Sequence, residues 1–267
     1  MTLPSILLVG CGRMGGAMLS GWRERGLAAS VAVDPDPSAA ELAGPDLTVV
    51  RDASAIPAGF SPAAVVLAVK PQNAALTLPA YARYAGGAVF LSIMAGRNLR
   101  GIQALLGPSA AIVRAMPNTP AAVRRGVTVG CAGRGVGLAQ RALCDDLLAA
   151  IGRVAWIEDE TLMDAVTAVS GSGPAYVFLL AELMQAAAIE QGIEPELARL
   201  LARETVAGSG ALLAASAEES SALRVAVTSP GGTTQAALAV LMDKAAWPAT
   251  LSRAIAAATV RSRELAA

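Results

Sequence analysis

Apolar residues along this chain follow two different rhythms. Up to about residue 157 they fall in short, largely apolar runs: Ile6–Val9, Ser30–Val33, Thr48–Val50, Ala64–Val69, Ala88–Ile93, Ala110–Met116, Val127–Cys131 and Arg153–Ile157. Helical stretches lie between them at Met14–Arg25 (closed by Gly26), Asn73–Tyr81, Leu99–Leu106 and Gly137–Ala150. Strands apolar on both faces, separated by helices, predict a parallel sheet covered on both sides. The expected fold is therefore a doubly wound α/β domain over residues 1–157. Beyond it no strand pattern remains. Thr161–Ser170, Ala175–Gln191, Pro195–Ala217, Ser221–Val227, Thr233–Lys244 and Trp247–Leu265 read as helices, with Leu238, Leu241 and Met242 at helical spacing. Residues 158–267 are thus expected to form an all-helical domain. Its helices are apolar on more than one face, and Val206–Ala217 carries no charge at all. A face too apolar for water needs a second chain, so a homodimer is expected, built on the helical domain.

Composition narrows the functional classes. Charged residues make up 16% of the chain and hydrophobic ones 54%, which excludes a disordered polypeptide. Twenty-one basic residues balance 21 acidic ones without a long run of either sign, so neither a nucleic acid nor an anionic membrane surface is the expected partner. A mean hydropathy of +0.53 brings a membrane span into question. Glu182 interrupts the apolar run Pro174–Ile189, and Val206–Ala217 is too short. Helices buried in an oligomer are the better reading, with no membrane partner. Met1–Gly12 lacks the basic start of a signal peptide. Cys11, Cys131 and Cys144 are odd in number and without metal-ligand spacing. A metal-free protein of the reducing cytoplasm is expected.

The chain has no histidine, and lysine only at Lys70 and Lys244. Serine–histidine hydrolysis, imidazole acid–base catalysis and histidine-ligated zinc are excluded. The chemistry must be one that hardly needs acids and bases.

The first run leads into Gly10-Cys11-Gly12-Arg13-Met14-Gly15, a G-x-G-x-x-G sequence between a strand and a helix. Gly10 permits the tight turn, Gly12 lets backbone approach a pyrophosphate, and Gly15 lets the helix lie close to the strand. The helix start supplies N–H groups and a favourable dipole. Asp34 follows 19 residues after Gly15 at the end of the second strand, where a carboxylate takes adenosine ribose hydroxyls. It would repel a 2′-phosphate, and no Arg stands in Val33–Ala40, so these residues lean to NAD over NADP.

A second anion site is expected late in the chain. Pro230 fixes a turn, Gly231 and Gly232 leave the backbone bare, and Thr233 and Thr234 open a helix whose first N–H groups lack partners. With the Ser229 hydroxyl, this loop has the makings of a carboxylate site. Ser170-Gly171-Ser172-Gly173-Pro174 reads as a fixed break between two helices. Arg114, Arg124 and Arg125 flank the loop Pro117–Pro120 and are candidates for drawing in an anionic substrate, with solvated surface arginines as the alternative for the last two.

Taken in order, five further segments are Ala68-Val69-Lys70-Pro71-Gln72, Ser92-Ile93-Met94-Ala95-Gly96, Arg114 to Pro120 (Arg-Ala-Met-Pro-Asn-Thr-Pro), Ser170 to Tyr176 (Ser-Gly-Ser-Gly-Pro-Ala-Tyr), and Val227 to Thr234 (Val-Thr-Ser-Pro-Gly-Gly-Thr-Thr). In this order and spacing the chain closely resembles the pyrroline-5-carboxylate reductases, from Gly10 to about Leu265. The resemblance implies an N-terminal Rossmann domain, a C-terminal helical dimerisation domain, and NAD(P)H-dependent reduction of 1-pyrroline-5-carboxylate to L-proline, the last step of proline synthesis. It also implies dimers that often assemble further, to decamers. By resemblance Gly10, Cys11, Gly12, Arg13, Met14 and Gly15 hold the pyrophosphate, and Asp34 and Asp52 lie near the adenosine. Ala68, Val69, Lys70, Pro71, Met94, Ala95 and Gly96 line the cofactor, and Asn118 sits beside the nicotinamide. The loop Ser229–Thr234 binds the substrate carboxylate, with Thr234 facing the ring nitrogen as the catalytic residue. Members that favour NADP often carry a hydroxyl or basic residue near the position of Asp34, so this chain departs from them there.

A cyclic imine suits such a site. Its nitrogen is basic enough to arrive protonated, its carbon is then electrophilic, and orientation is the main task left to the protein. A β-hydroxyacid dehydrogenase is the competing enzyme class. It must move an alcohol proton with a lysine early in the helical domain, and no lysine lies between Lys70 and Lys244. A nucleotide-binding regulator without turnover would not need the Ser229–Thr234 loop.

Overall fold

The computed structural model describes residues 2–266. The chain forms two compact units. The first runs through Gly171 and includes the chain again from Ala258; the second is Ser172–Ala257.

The first unit is built on β1 (Ile6–Val9), β2 (Ser30–Val33), β3 (Leu47–Val50), β4 (Ala64–Leu67), β5 (Val89–Ser92), β6 (Ala111–Met116), β7 (Gly126–Ala132) and β8 (Gly152–Ile157). They make one sheet in the order β3-β2-β1-β4-β5-β6-β7-β8. The order reverses beside β1, which creates the crevice where α/β proteins bind ligands. Six strands run parallel, and β7 pairs antiparallel with β6 and parallel with β8. The fully parallel expectation therefore fails at β7. Between Met116 and Gly126 the chain makes only a 3₁₀ turn, Thr119–Val123, too short for the crossover that a parallel neighbour requires.

Helix α1 (Arg13–Glu24) follows β1. The short α2 (Ala74–Thr77) is embedded in 3₁₀ turns, α3 (Leu99–Leu106) precedes β6, and α4 (Leu138–Ala149) precedes β8. The period-2 geometry of the strands sorts side chains into two cores. Ile6, Leu8, Val66, Leu91 and Val113 pack with Met18, Leu19 and Trp22 of α1 and Leu147 and Leu148 of α4. On the opposite face Leu7, Val9, Val65, Leu67 and Phe90 pack with Leu78, Tyr81, Ile102 and Leu106. Trp22 buries its ring and donates its indole N–H to the Leu147 carbonyl at 2.8 Å, which ties α1 to α4.

The expected fixed break at Ser170–Pro174 is present as a π turn followed by a single bend at Ser172, with Pro174 in the first turn of the next helix. After α5 (Met163–Val166) the chain makes a π turn, Thr167–Gly171, and enters α6 (Gly173–Glu190). The Thr167 and Ser170 hydroxyls donate back to the carbonyls of Met163 and Val166 at 2.8 and 2.9 Å, holding the wide turn. The helical stretch Glu160–Glu190, taken through this turn, is long and apolar enough to cross a bilayer by length and composition.

The second unit contains α6, α7 (Pro195–Ala215), α8 (Ser220–Ala226), α9 (Thr233–Leu241) and the start of α10 (Trp247–Ala266). α6 and α7 pack on each other, with Ala198 and Ala202 among the few buried positions. Small side chains there permit close approach. Phe178, Leu179, Leu183, Leu200, Leu201 and Leu212 are each about half exposed or more in the single chain. Such an apolar surface requires a covering partner. The end of α10 belongs to the first unit, where Ser262 donates to Asp164 at 2.6 Å.

Candidate active site

The glycine loop is shaped by collisions that only glycine avoids. Gly10 has φ +97°, and a Cβ there would stand 2.7 Å from the Ala68 carbonyl oxygen. A Cβ on Gly15 would sit on the Gly10 carbonyl itself. Gly12 is different: nothing lies within 4 Å of the place its Cβ would take, so its open side faces the cleft. α1 starts at Gly12 with no side-chain cap and no acidic residue in its first turn, which leaves its first N–H groups and dipole to an incoming anion. Gly10, Cys11, Gly12 and Arg13 line a cleft of about 930 Å³ at the C-terminal edge of β1, β2 and β4. Met14 instead packs into the core, and Gly15 is buried against the loop.

Asp34 closes one end of this cleft. Its Oδ2 accepts from the Cys11 N–H at 2.6 Å and its Oδ1 from the Asp36 N–H at 2.9 Å. It therefore caps a turn and at the same time presents its carboxylate to the cleft. Asp52 also lines the cleft, accepting from the Ser54 N–H at 2.8 Å and from its hydroxyl. Those bonds hold the Asp52 carboxyl below its ordinary range, hydroxyl first, and the Ser38 N–H does the same for Asp36. Burial, and then the Asp34 charge, push the Cys11 thiol up to about 12, so it stays protonated.

Ala68, Val69 and Lys70 line the opposite wall. Pro71 begins a 3₁₀ turn, and its carbonyl accepts from Arg97 Nε at 3.1 Å. A dinucleotide fits these residues: a bare helix start for the pyrophosphate, a fixed carboxylate for the ribose and an apolar floor. Met94 is 2% exposed and belongs to the core, Ala95 is exposed, and Gly96 has φ +68° with the Leu265 carbonyl against it. These three are not among the residues lining the glycine-loop cleft.

Asn118 is also outside that lining, and both ends of its amide are engaged. Nδ2 donates to the Ser170 carbonyl at 3.1 Å and Oδ1 accepts from the Val127 N–H at 2.9 Å. Two of the three candidate arginines are engaged by protein partners. Arg114 is 4% exposed and pairs at 2.9 Å with Glu160, which also caps the first N–H of α3. Arg124 grips both oxygens of Glu24, at 3.0 and 2.6 Å, and the Ser20 hydroxyl, all on α1. Arg125 is exposed.

The late loop lies in the second unit. Gly231 has φ +70°, and the Gly232 N–H closes a turn on the Ser229 carbonyl at 3.0 Å. Gly232 is the N-cap of α9, in extended conformation and without a side-chain cap. Thr233 and Thr234 are the first two helical residues, so their N–H groups have no intrahelical partner. Ser229, Gly231 and Thr233 are exposed, and Thr234 is half-buried. Pattern reading did not single out Gln235, whose Oε1 accepts from the Gly231 N–H at 2.5 Å and holds the loop. Nor did it single out Arg51, exposed at the end of β3 and lining the first cleft.

Comparison with known proteins gives a consistent picture. Residues 160–265 match the family described as pyrroline-5-carboxylate reductase dimerisation, and residues 5–96 match the family described as NADP oxidoreductase coenzyme F420-dependent. A pyrroline-5-carboxylate reductase of Pseudomonas aeruginosa is 38% identical over 270 residues, spanning 100% of this chain and 98% of that one. The solved pyrroline-5-carboxylate reductase of Coxiella burnetii is 30% identical, with a TM-score of 0.91 over 98% of both chains. The pyrroline carboxylate reductase of Plasmodium falciparum, solved with NADP bound, is 27% identical, with a TM-score of 0.83 over the full length of both.

Proposed function

This chain belongs to the pyrroline-5-carboxylate reductase family, and from that premise we propose how its residues divide the work. The activity is NAD(P)H-dependent reduction of the cyclic imine 1-pyrroline-5-carboxylate to L-proline. The observation that carries it is the end-to-end match at 38% identity. We propose that the glycine loop, Asp34 and Asp52, with Ala68 to Pro71, hold the dinucleotide, and that Met94 to Gly96 and Asn118 shape the surroundings of its nicotinamide. Asn118 acts there through a loop fixed by its own amide.

The substrate carboxylate is proposed to bind at Ser229–Thr234. Two backbone N–H groups at the start of α9 and the Ser229 hydroxyl provide the donors. The imine nitrogen arrives protonated, so its carbon accepts a hydride without further activation. When bound, the reduced nicotinamide supplies that hydride. Thr234 hydrogen-bonds the ring nitrogen and fixes the ring's orientation; its hydroxyl is too weak an acid to be an obligatory proton donor. Replacing Thr234 by Ala is expected to lower turnover roughly tenfold, the worth of one hydrogen bond. The Kd for NAD(P)H should be unchanged. Wild-type steady-state kinetics in that variant would remove Thr234 from the site.

We further propose that residues 1–157 act as the dinucleotide-binding domain and 158–267 as the dimerisation and substrate domain. The family match over 160–265 and the exposed leucines of α6 and α7 support that division. The protein is an oligomer, and a homodimer that assembles to a decamer is the proposed form. The same leucines, covered by a second copy, would account for the span-like helix without a membrane partner. Three free cysteines, two of them buried, support a cytoplasmic location. Light scattering of the purified protein tests the assembly.

A further inference from the structure

We propose that Asp34 and Arg51 decide which dinucleotide this enzyme uses, and that they favour NADH over NADPH. The inference rests on the reading of the first cleft as the dinucleotide site. An acidic residue at the end of the second strand meets the ribose hydroxyls, the place where NADPH carries its 2′-phosphate. In many proteins such a side chain is free to turn away from an unwelcome anion. Here it is not. Each oxygen of Asp34 is held by a backbone N–H, from Cys11 at 2.6 Å and from Asp36 at 2.9 Å. Each keeps a further lone pair for a ribose hydroxyl, so the carboxylate is positioned to accept from NADH and to repel a phosphate dianion.

Asp36, Glu41 and Asp52 line the same end of the cleft. Hydrogen bonds from Ser38 and Ser54 keep Asp36 and Asp52 ionised, so neither relieves the repulsion by taking a proton. Arg51 is a cation set among them, with Arg13 and Lys70 also in the lining. It follows β3, lies beside the end of β2, and its Nη2 comes within 3.4 Å of the carbonyl of Pro35, the residue after Asp34. A guanidinium in this place is suited to a 2′-phosphate. Its charge acts on Asp52, which it helps to hold ionised, and its only side-chain hydrogen bond among those of the described residues is to the Pro35 carbonyl. Arg51 is thus a dormant phosphate ligand that removal of the Asp34 charge should expose.

The test is calorimetric titration of NADH and NADPH into the full-length protein without imine, with kcat/KM for both coenzymes alongside. The wild type should bind NADH at least about tenfold more tightly than NADPH. Asp34→Ser should move the ratio of the two Kd values toward NADPH by at least about tenfold. Asp34→Asn, which keeps the shape and an acceptor for Cys11, should move it the same way if the serine variant folds poorly. Adding Arg51→Ala to either variant should abolish the NADPH gain. Equal or tighter NADPH binding by the wild type would overturn the proposal, as would an unmoved ratio in the Asp34 variants or a gain that survives Arg51→Ala. Imine reduction with NADPH preferred would overturn it while leaving the family activity intact. Dinucleotide binding without any imine reduction would instead refute the activity.

Discussion

Two glycine-bearing loops open helices in this molecule, and they are built on opposite terms. At Gly10–Gly15 two of the three glycines, Gly10 and Gly15, are demanded by packing: added methyl groups would strike the backbone at Ala68 and at Gly10 itself. The loop is also tied from outside, through the Gly10 N–H to Val33 and the Cys11 N–H to Asp34. At Ser229–Thr234 nothing stands within 4 Å of a Cβ placed on Gly231; that glycine is required only by its φ of +70°. Its neighbours are exposed, and its restraints are local, from Ser229 and Gln235. The first anion site is part of a core. The second, the proposed carboxylate site, is a turn exposed in the single chain and contributing little to the fold. Mutations in the first should therefore damage stability and coenzyme binding together, and mutations in the second should touch substrate alone.

The most severe way to test this difference is Gly15→Ala. One methyl group forced against the Gly10 carbonyl cannot be absorbed by a flexible side chain. We expect about 3 kcal/mol of destabilisation, a fall in Tm on the order of 6–10 °C, and a loss of NAD(P)H affinity of roughly a hundredfold. A variant with wild-type Tm and coenzyme Kd would mean that the loop is not set by this packing.

Gly231→Ala should behave in the opposite manner. There is space for the methyl, and the only cost is the left-handed backbone, about 1 kcal/mol. The turn would relax, and its N–H groups would no longer converge. The KM for the imine should rise roughly tenfold, while Tm falls by no more than about 2–4 °C. The Kd for NAD(P)H should stay put. Joint loss of coenzyme and substrate binding would erase the distinction between the loops.

The same contrast explains what the sequence could reveal. Every strand was legible to within about two residues, because the runs around Ile6–Val9 and Ala64–Leu67 are apolar on both faces and bounded by turns. The direction of β7 was not, since pattern records strands and not their sense. Its cue was the short, proline-bearing link from Met116 to Gly126. The stretch near Asn73–Tyr81 is largely 3₁₀ because Pro79 cannot donate to a regular helix. The glycine loop was legible because its motif is local. Arg51 and Gln235 were not, because each matters through a neighbour that only the fold supplies: Pro35, from the adjacent strand end, and the bent Gly231 amide. Arg114 and Arg124 stood as candidates for drawing in an anionic substrate for the same reason. One is buried against Glu160, 46 residues away, and the other clasps α1.

Arg124 offers the smallest and sharpest test. It is the only non-glycine with positive φ among the described residues, at +59°. Left-handed backbone costs a residue with a Cβ about 1 kcal/mol, and the packed first unit tolerates it because the guanidinium reaches Glu24, Ser20 and the Ala17 carbonyl. Arg124→Ala and Arg124→Gly lose those bonds equally and differ only in backbone strain. The glycine variant should therefore melt about 2–4 °C above the alanine variant. Their coenzyme Kd values should be indistinguishable, since neither residue touches the cleft. If alanine proved as stable as glycine, Arg124 would not be strained at all. The first unit would then owe its tolerance there to a relaxed turn, as the second does at Gly231, rather than to side-chain packing.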